Sequence, residues 1–78
     1  MENLKIYKEV FTKVFAVEES ELEELKYQGI EAWDSVGHME LIAELEDAFD
    51  IMMDTDDIID FSSYAKGIEL LKKYDIEM

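Results

Sequence analysis

Residues 33–50 read WDSVGHMELIAELEDAFD, and the spacing of their apolar side chains decides the fold. Leu41, Ile42, Leu45, Ala48 and Phe49 recur at intervals of three and four, which gathers them on one face of an α-helix. The spacing predicts a helix that starts at Ser35 and ends near Asp50. On the opposite side Glu40, Glu44 and Asp47 align at i, i+4 and i+7, with Val36 and Ala43 beside them. Like charges in such a row repel by roughly 0.2–0.5 kcal/mol per pair, so the row does not help an isolated helix.

Working outward, Leu4, Tyr7, Phe11, Val14 and Phe15 fall on one stripe and predict a helix from about residue 3 to residue 15. Between Ala16 and Trp33 the period breaks down and acids cluster. Ser20 with Glu23 has the form of a capping box for one short turn, and Leu22, Leu25, Tyr27, Ile30 and Trp33 are expected to cover the core. Downstream, Asp54 and Thr55 are caps for a short helix carrying Ile58, Ile59 and Phe61. Ser62 or Ser63 opens a last helix reaching Tyr74, with Tyr64, Ile68, Leu71 and Tyr74 inward. Gly67 in that helix costs about 1 kcal/mol relative to alanine, which points to close packing there.

Seventy-eight residues, 49% of them apolar, make one domain over residues 1–78 with a single core. Period-2 alternation does not persist and proline is absent, so the fold class is all-α. The expected architecture is a small four-helix bundle of three longer helices and one short one.

Twenty-one acids stand against seven lysines, for a net charge of −14. Such a surface repels phosphate backbones and anionic headgroups, which argues against nucleic acid and membrane and for partners with basic patches. From Lys26 to Lys66 no lysine or arginine intervenes, while eleven acids lie between Glu31 and Asp60. Cysteine is absent, which excludes disulfides, thiolate metal sites and a thiol nucleophile. No segment approaches the roughly 20 apolar residues of a membrane span, and MENLKIYKEV at the start has no apolar h-region. The expected location is the cytoplasm and the expected state a monomer.

Ser35 has several possible jobs. It can be the helix N-cap, or Asp34 can take that role and leave the Ser35 hydroxyl facing water in the first turn. His38, three residues on, shares a helical side with Ser35, but neither an orienting carboxylate nor a GxSxG elbow accompanies them, so hydrolysis is disfavoured. His38 is then a partly exposed helix residue. The run DIMMDTDDIID fails as a calcium loop: counting from Asp54, Ile58 takes position 5, Ile59 the glycine position and Ala65 the glutamate position. Met39, one turn after Ser35, belongs at a rim between core and surface, where a soft side chain suits several partners.

A serine preceded by aspartate, opening an acidic amphipathic helix in a small acidic helical chain, closely resembles the acyl carrier protein family over nearly the whole sequence. The residues that carry the resemblance are Asp34-Ser35-Val36, where the family has its D-S-L attachment motif, then Met39-Glu40-Leu41-Ile42 and the run LEDAFD at 45–50. Val36, Gly37, His38 and Trp33 depart from the fatty-acid carriers, and the pattern W-D-S-x-G-H-M-E-L over residues 33–41 also looks like carriers outside the main fatty-acid pathway, including stand-alone ones that work with acyl- or aminoacyl-adenylating enzymes.

The resemblance implies a four-helix fold and no catalysis by the chain itself. It implies covalent 4′-phosphopantetheine on Ser35, next to Asp34, attached by a separate phosphopantetheinyl transferase. Acyl or aminoacyl groups would then travel as thioesters to loading and transferring enzymes. Val36, Met39, Glu40, Ala43, Glu44 and Asp47 are the implied partner-binding residues. The alternative is an acidic helical interaction module with no prosthetic group, in which Ser35 is only a cap.

Overall fold

A computed structural model describes residues 2–78. The chain is all-helical: α1 (Glu2–Phe15), a 3-10 helix (Glu19–Glu24), α2 (Ser35–Phe49), α3 (Thr55–Asp60) and α4 (Tyr64–Lys72). Among the described residues no strand forms, and one isolated antiparallel bridge joins Lys26 to Ser63. Three longer α-helices and one short one stand as the spacing predicts, and the 3-10 helix takes the place of the short turn expected in the long connection.

Why α1 and α2 pack follows from their stripes. Tyr7, Val10, Phe11 and Phe15 are buried on α1, and Leu41, Ile42 and Leu45 on α2, so each helix hides its apolar face against the other. Phe11 sits at the centre, its ring centroid 4.9–6.3 Å from those of Tyr7, Phe15, Trp33, Phe61 and Tyr64. Such ring pairs add roughly 0.5–1.5 kcal/mol each beyond the area they bury. Leu22, Leu25 and Trp33 close the core from the long connection, as the sequence implies. Tyr27 does not: it is exposed, because its backbone pairs outward with the α3–α4 junction, Tyr27 N–H donating to Ser62 C=O at 2.8 Å. Ile30 is half-buried against the core.

Local corrections have local causes. The capping box of the 3-10 helix is Glu18 with Glu21, not Ser20 with Glu23, so the turn begins two residues earlier. Ala48 is exposed, leaving Phe49 at the edge of the α2 face. Asp54 is the N-cap of α3 by backbone position, without a side-chain cap bond. Ser63 caps α4, its Oγ accepting from Lys66 N–H at 2.9 Å, and the helix ends at Lys72, with Tyr74 half-buried in the turn beyond. Val10 and Leu70 join the core beside the residues their stripes single out.

Gly67 confirms the close packing its sequence cost implies. A Cβ there would lie 2.2 Å from both Phe61 Cζ and the Tyr7 hydroxyl. Tyr7 is buried, and its hydroxyl donates to the Tyr64 carbonyl at 2.6 Å, clamping α1 to the first turn of α4. Burial holds the Tyr7 phenol well above its ordinary range, with the nearby Tyr64 adding to the shift.

Candidate functional site

Asp34 is the N-cap of α2: its Oδ1 accepts from Gly37 N–H at 2.8 Å. Aspartate is among the preferred residues for this task, since its short side chain reaches an orphan amide of the first turn. Ser35 is therefore the first helical residue, exposed, and not the residue that makes the cap bond. Of the two arrangements open in the sequence, this is the one that frees the hydroxyl.

Gly37 has a reason beyond helix propensity. A Cβ at this position would sit 2.0 Å from the Ala32 carbonyl oxygen and 3.3 Å from the Phe15 ring. The chain before Ser35 thus folds back directly onto the first turn of α2, with Trp33 fully buried and Ser35 outside.

His38 is more than a partly exposed helix residue. Trp33 Nε1–H donates to His38 Nδ1 at 2.9 Å, and His38 Nε2 lies 2.8 Å from the Ile58 carbonyl oxygen. An indole nitrogen only donates and a carbonyl only accepts, so the ring is the neutral tautomer with its hydrogen on Nε2. Both nitrogens are engaged away from Ser35, and neither is free to act on its hydroxyl as a base. Nothing in the local sequence announces this role, because one partner is twenty residues distant; the nearby tryptophan was the only clue.

Beside Ser35 lies a cavity of about 350 Å³, lined by Tyr27, His38, Met39, Ile58, Ile59 and Phe61 together with Ser35 and Ser62. Its walls come from α2, α3, the α3–α4 junction and the Tyr27 turn. Outside it the surface is unusually apolar for so charged a chain: Val36 is 68% exposed, Met39 56% and Ile59 72%. The sequence places Ile59 only in the short helix, and the structure brings it with Met39 into the lining of the cavity.

The remaining predicted residues fall on the outer side of α2. Glu40, Ala43 and Asp47 are exposed together with Val36 and Met39, as the helical spacing requires. Glu44 is set apart: its Oε1 is 3.2 Å from Lys13 Nζ on α1, so that carboxylate is partly neutralised. An exposed pair of this kind contributes at most about 1 kcal/mol.

On the far side of α3, Asp57 is turned inward and only 4% exposed. Lys73 Nζ donates to its Oδ1 at 2.7 Å and the Tyr74 hydroxyl to its Oδ2 at 2.5 Å, while Asp54 N–H donates to the Tyr74 oxygen at 3.0 Å. Hydrogen bonds from Lys73 first and Tyr74 second hold the Asp57 carboxyl below the usual carboxylate range, and the bond to Asp57 raises Lys73 and Tyr74 in turn. Asp57 is thus a structural member of the acidic run. Among the described residues no group of three or more histidine or acidic side chains is placed to hold a metal ion, and no helix is long and apolar enough to cross a membrane.

No protein-family model matches this chain, and neither a curated protein nor a solved structure does.

Proposed function

We propose that this chain is a carrier of the acyl carrier protein type, with Ser35 as the attachment point for 4′-phosphopantetheine and a separate transferase as the modifying enzyme. The observation that carries the reading is the division of labour at the start of α2: Asp34 makes the cap and Ser35 is exposed. With Asp34 making that bond, Ser35 is not needed for the cap.

The surroundings fit the group. Ser35 opens a 15-residue helix, whose N-terminal dipole favours a phosphate ester at that position. The apolar cavity beside it offers shelter to an attached chain, and the absence of cysteine leaves the protein body without a thiol of its own. When attached, the group supplies the thiol on which acyl or aminoacyl cargo is held as a thioester.

What the chain's own residues do is present and release. Val36, Met39 and Ile59 give a partner apolar contact around Ser35, and Glu40 and Asp47 meet its basic patch. Exposed charges of this kind raise the rate of encounter more than the affinity, which suits a protein that must leave each enzyme again. Glu44 contributes less, because Lys13 already occupies it.

Incubation with coenzyme A, magnesium and a broad-specificity phosphopantetheinyl transferase tests the reading by intact mass. Wild type is expected to gain one phosphopantetheine and Ser35→Ala none. An unmodified wild type, or equal gain by both, overturns it.

A further inference from the structure

Helix α3 has only six residues, too few to be stable alone, and two polar ties hold it from opposite sides. One is Asp57 with Lys73 and Tyr74 of the α4 end; the other is the Ile58 carbonyl with His38 Nε2–H of α2. Ile58 and Ile59, flanking the second tie, form a wall of the cavity beside Ser35.

We propose that His38 is a positioning residue: oriented by the Trp33 indole, its Nε2–H holds α3 against α2 and thereby sets how far the cavity beside Ser35 opens. The indole bond is what makes this specific. With Nδ1 occupied as an acceptor, the ring keeps its hydrogen on Nε2 and the donor faces Ile58. Tyr27 and Phe61 pack edge-on against the ring at 5.4 and 6.1 Å, so it cannot turn away without disturbing them.

Loss of the His38 tie leaves α3 anchored through Asp57, so the helix swings on its α4 side while the rest of the fold stands. The size of group that fits beside Ser35 then follows from a hydrogen bond that touches neither Ser35 nor the cargo. This last consequence rests on Ser35 being the attachment point; the hold on α3 does not.

The test uses the unmodified protein. His38→Gln keeps a donor at the Nε2 position, His38→Asn keeps an acceptor at the Nδ1 position, and His38→Ala keeps neither. Amide hydrogen exchange is read at residues 58–61, and at residues 10–15 of α1 as the measure of global opening. With one hydrogen bond lost, exchange at 58–61 is expected to rise roughly tenfold relative to α1 in His38→Asn and His38→Ala, while His38→Gln stays near wild type.

The neutral dye Nile red is expected to bind His38→Asn more tightly than His38→Gln. Exchange in His38→Asn as slow as in wild type, or in His38→Gln as fast as in His38→Asn, overturns the proposal. Should the variants fail to fold, imidazole nitrogen shifts of wild type decide: a hydrogen on Nε2 supports it, one on Nδ1 overturns it. Because none of these readouts needs Ser35 modified, a failure here and a failure of the attachment reading are told apart.

Discussion

Removing the Asp34 carboxylate by Asp34→Ala is expected to cost about 1 kcal/mol of stability, because the Gly37 amide then loses its partner. Ser35→Ala, one residue on, is expected to stay within about 0.5 kcal/mol of wild type, since its side chain is exposed and not the cap. Denaturant titration of the two variants checks the assignment; a larger loss for Ser35→Ala would make serine the cap after all. Gly67→Ala sets helix propensity against packing. Alanine gains roughly 1 kcal/mol as a helix former, but its Cβ meets Phe61 and the Tyr7 hydroxyl at 2.2 Å. Overpacking of about 1–3 kcal/mol is expected to win, so the variant melts lower than wild type.

At the scale of elements, the tie between α3 and α4 is acid-sensitive. The Asp57 carboxyl is held low in the native state, so its contribution is complete above the ordinary carboxylate range. As pH falls below about 4 the unfolded chain takes up its proton first, and the contribution disappears as pH passes the native value. Thermal melts at about pH 7 and about pH 3 are therefore expected to show a wider gap between wild type and Asp57→Asn at the first than at the second. A gap that stays constant would remove the ionised carboxylate from the account.

The long helices were legible because burial imposes the 3.6 period on their residues, and the α4 cap to within one residue, because Ser62 and Ser63 both carry a suitable side chain and the structure selects Ser63. The ends of α1 and α2 were legible too, at residue 15 and near Asp50, although Ala16 and Asp50 stop the helices with φ of 52° and 54° where glycine is the usual residue. The end of α4 was not, since the helix stops at Lys72, two residues short of Tyr74. The 3-10 cap was misplaced because glutamate, a poor N-cap by preference, does the work of Ser20. Ser35 and its neighbours on α2 could be placed on their face by counting. His38 could not be assigned its role, since its contact to Ile58 depends on where α3 docks.

For the molecule as a whole, a charge of −14 is a cost for folding and, in the proposed carrier, an asset for docking on basic partners. The lysines are used partly to tie elements together: Lys8 pairs with Glu19, Lys13 with Glu44 and Lys73 with Asp57. On the outer face of α2, Glu40 and Asp47 take part in none of these pairs. Glu40→Lys combined with Asp47→Lys is expected to slow transferase modification about tenfold at low salt, and the difference from wild type is expected to shrink as salt screens the encounter. Rates that match wild type at low salt would move the docking surface elsewhere.

Four serines, Ser20, Ser35, Ser62 and Ser63, compete for the role on which the account turns. Ser35 and Ser62 line the same cavity, so a mass gain alone does not place the group. No lysine or arginine lies between Lys26 and Lys66, so trypsin releases residues 27–66 as one peptide carrying Ser35, Ser62 and Ser63. Fragmentation of that peptide after transferase treatment is expected to put a single phosphopantetheine on Ser35. No addition at all, or an addition that maps to Ser62, Ser63 or Ser20, would contradict the account.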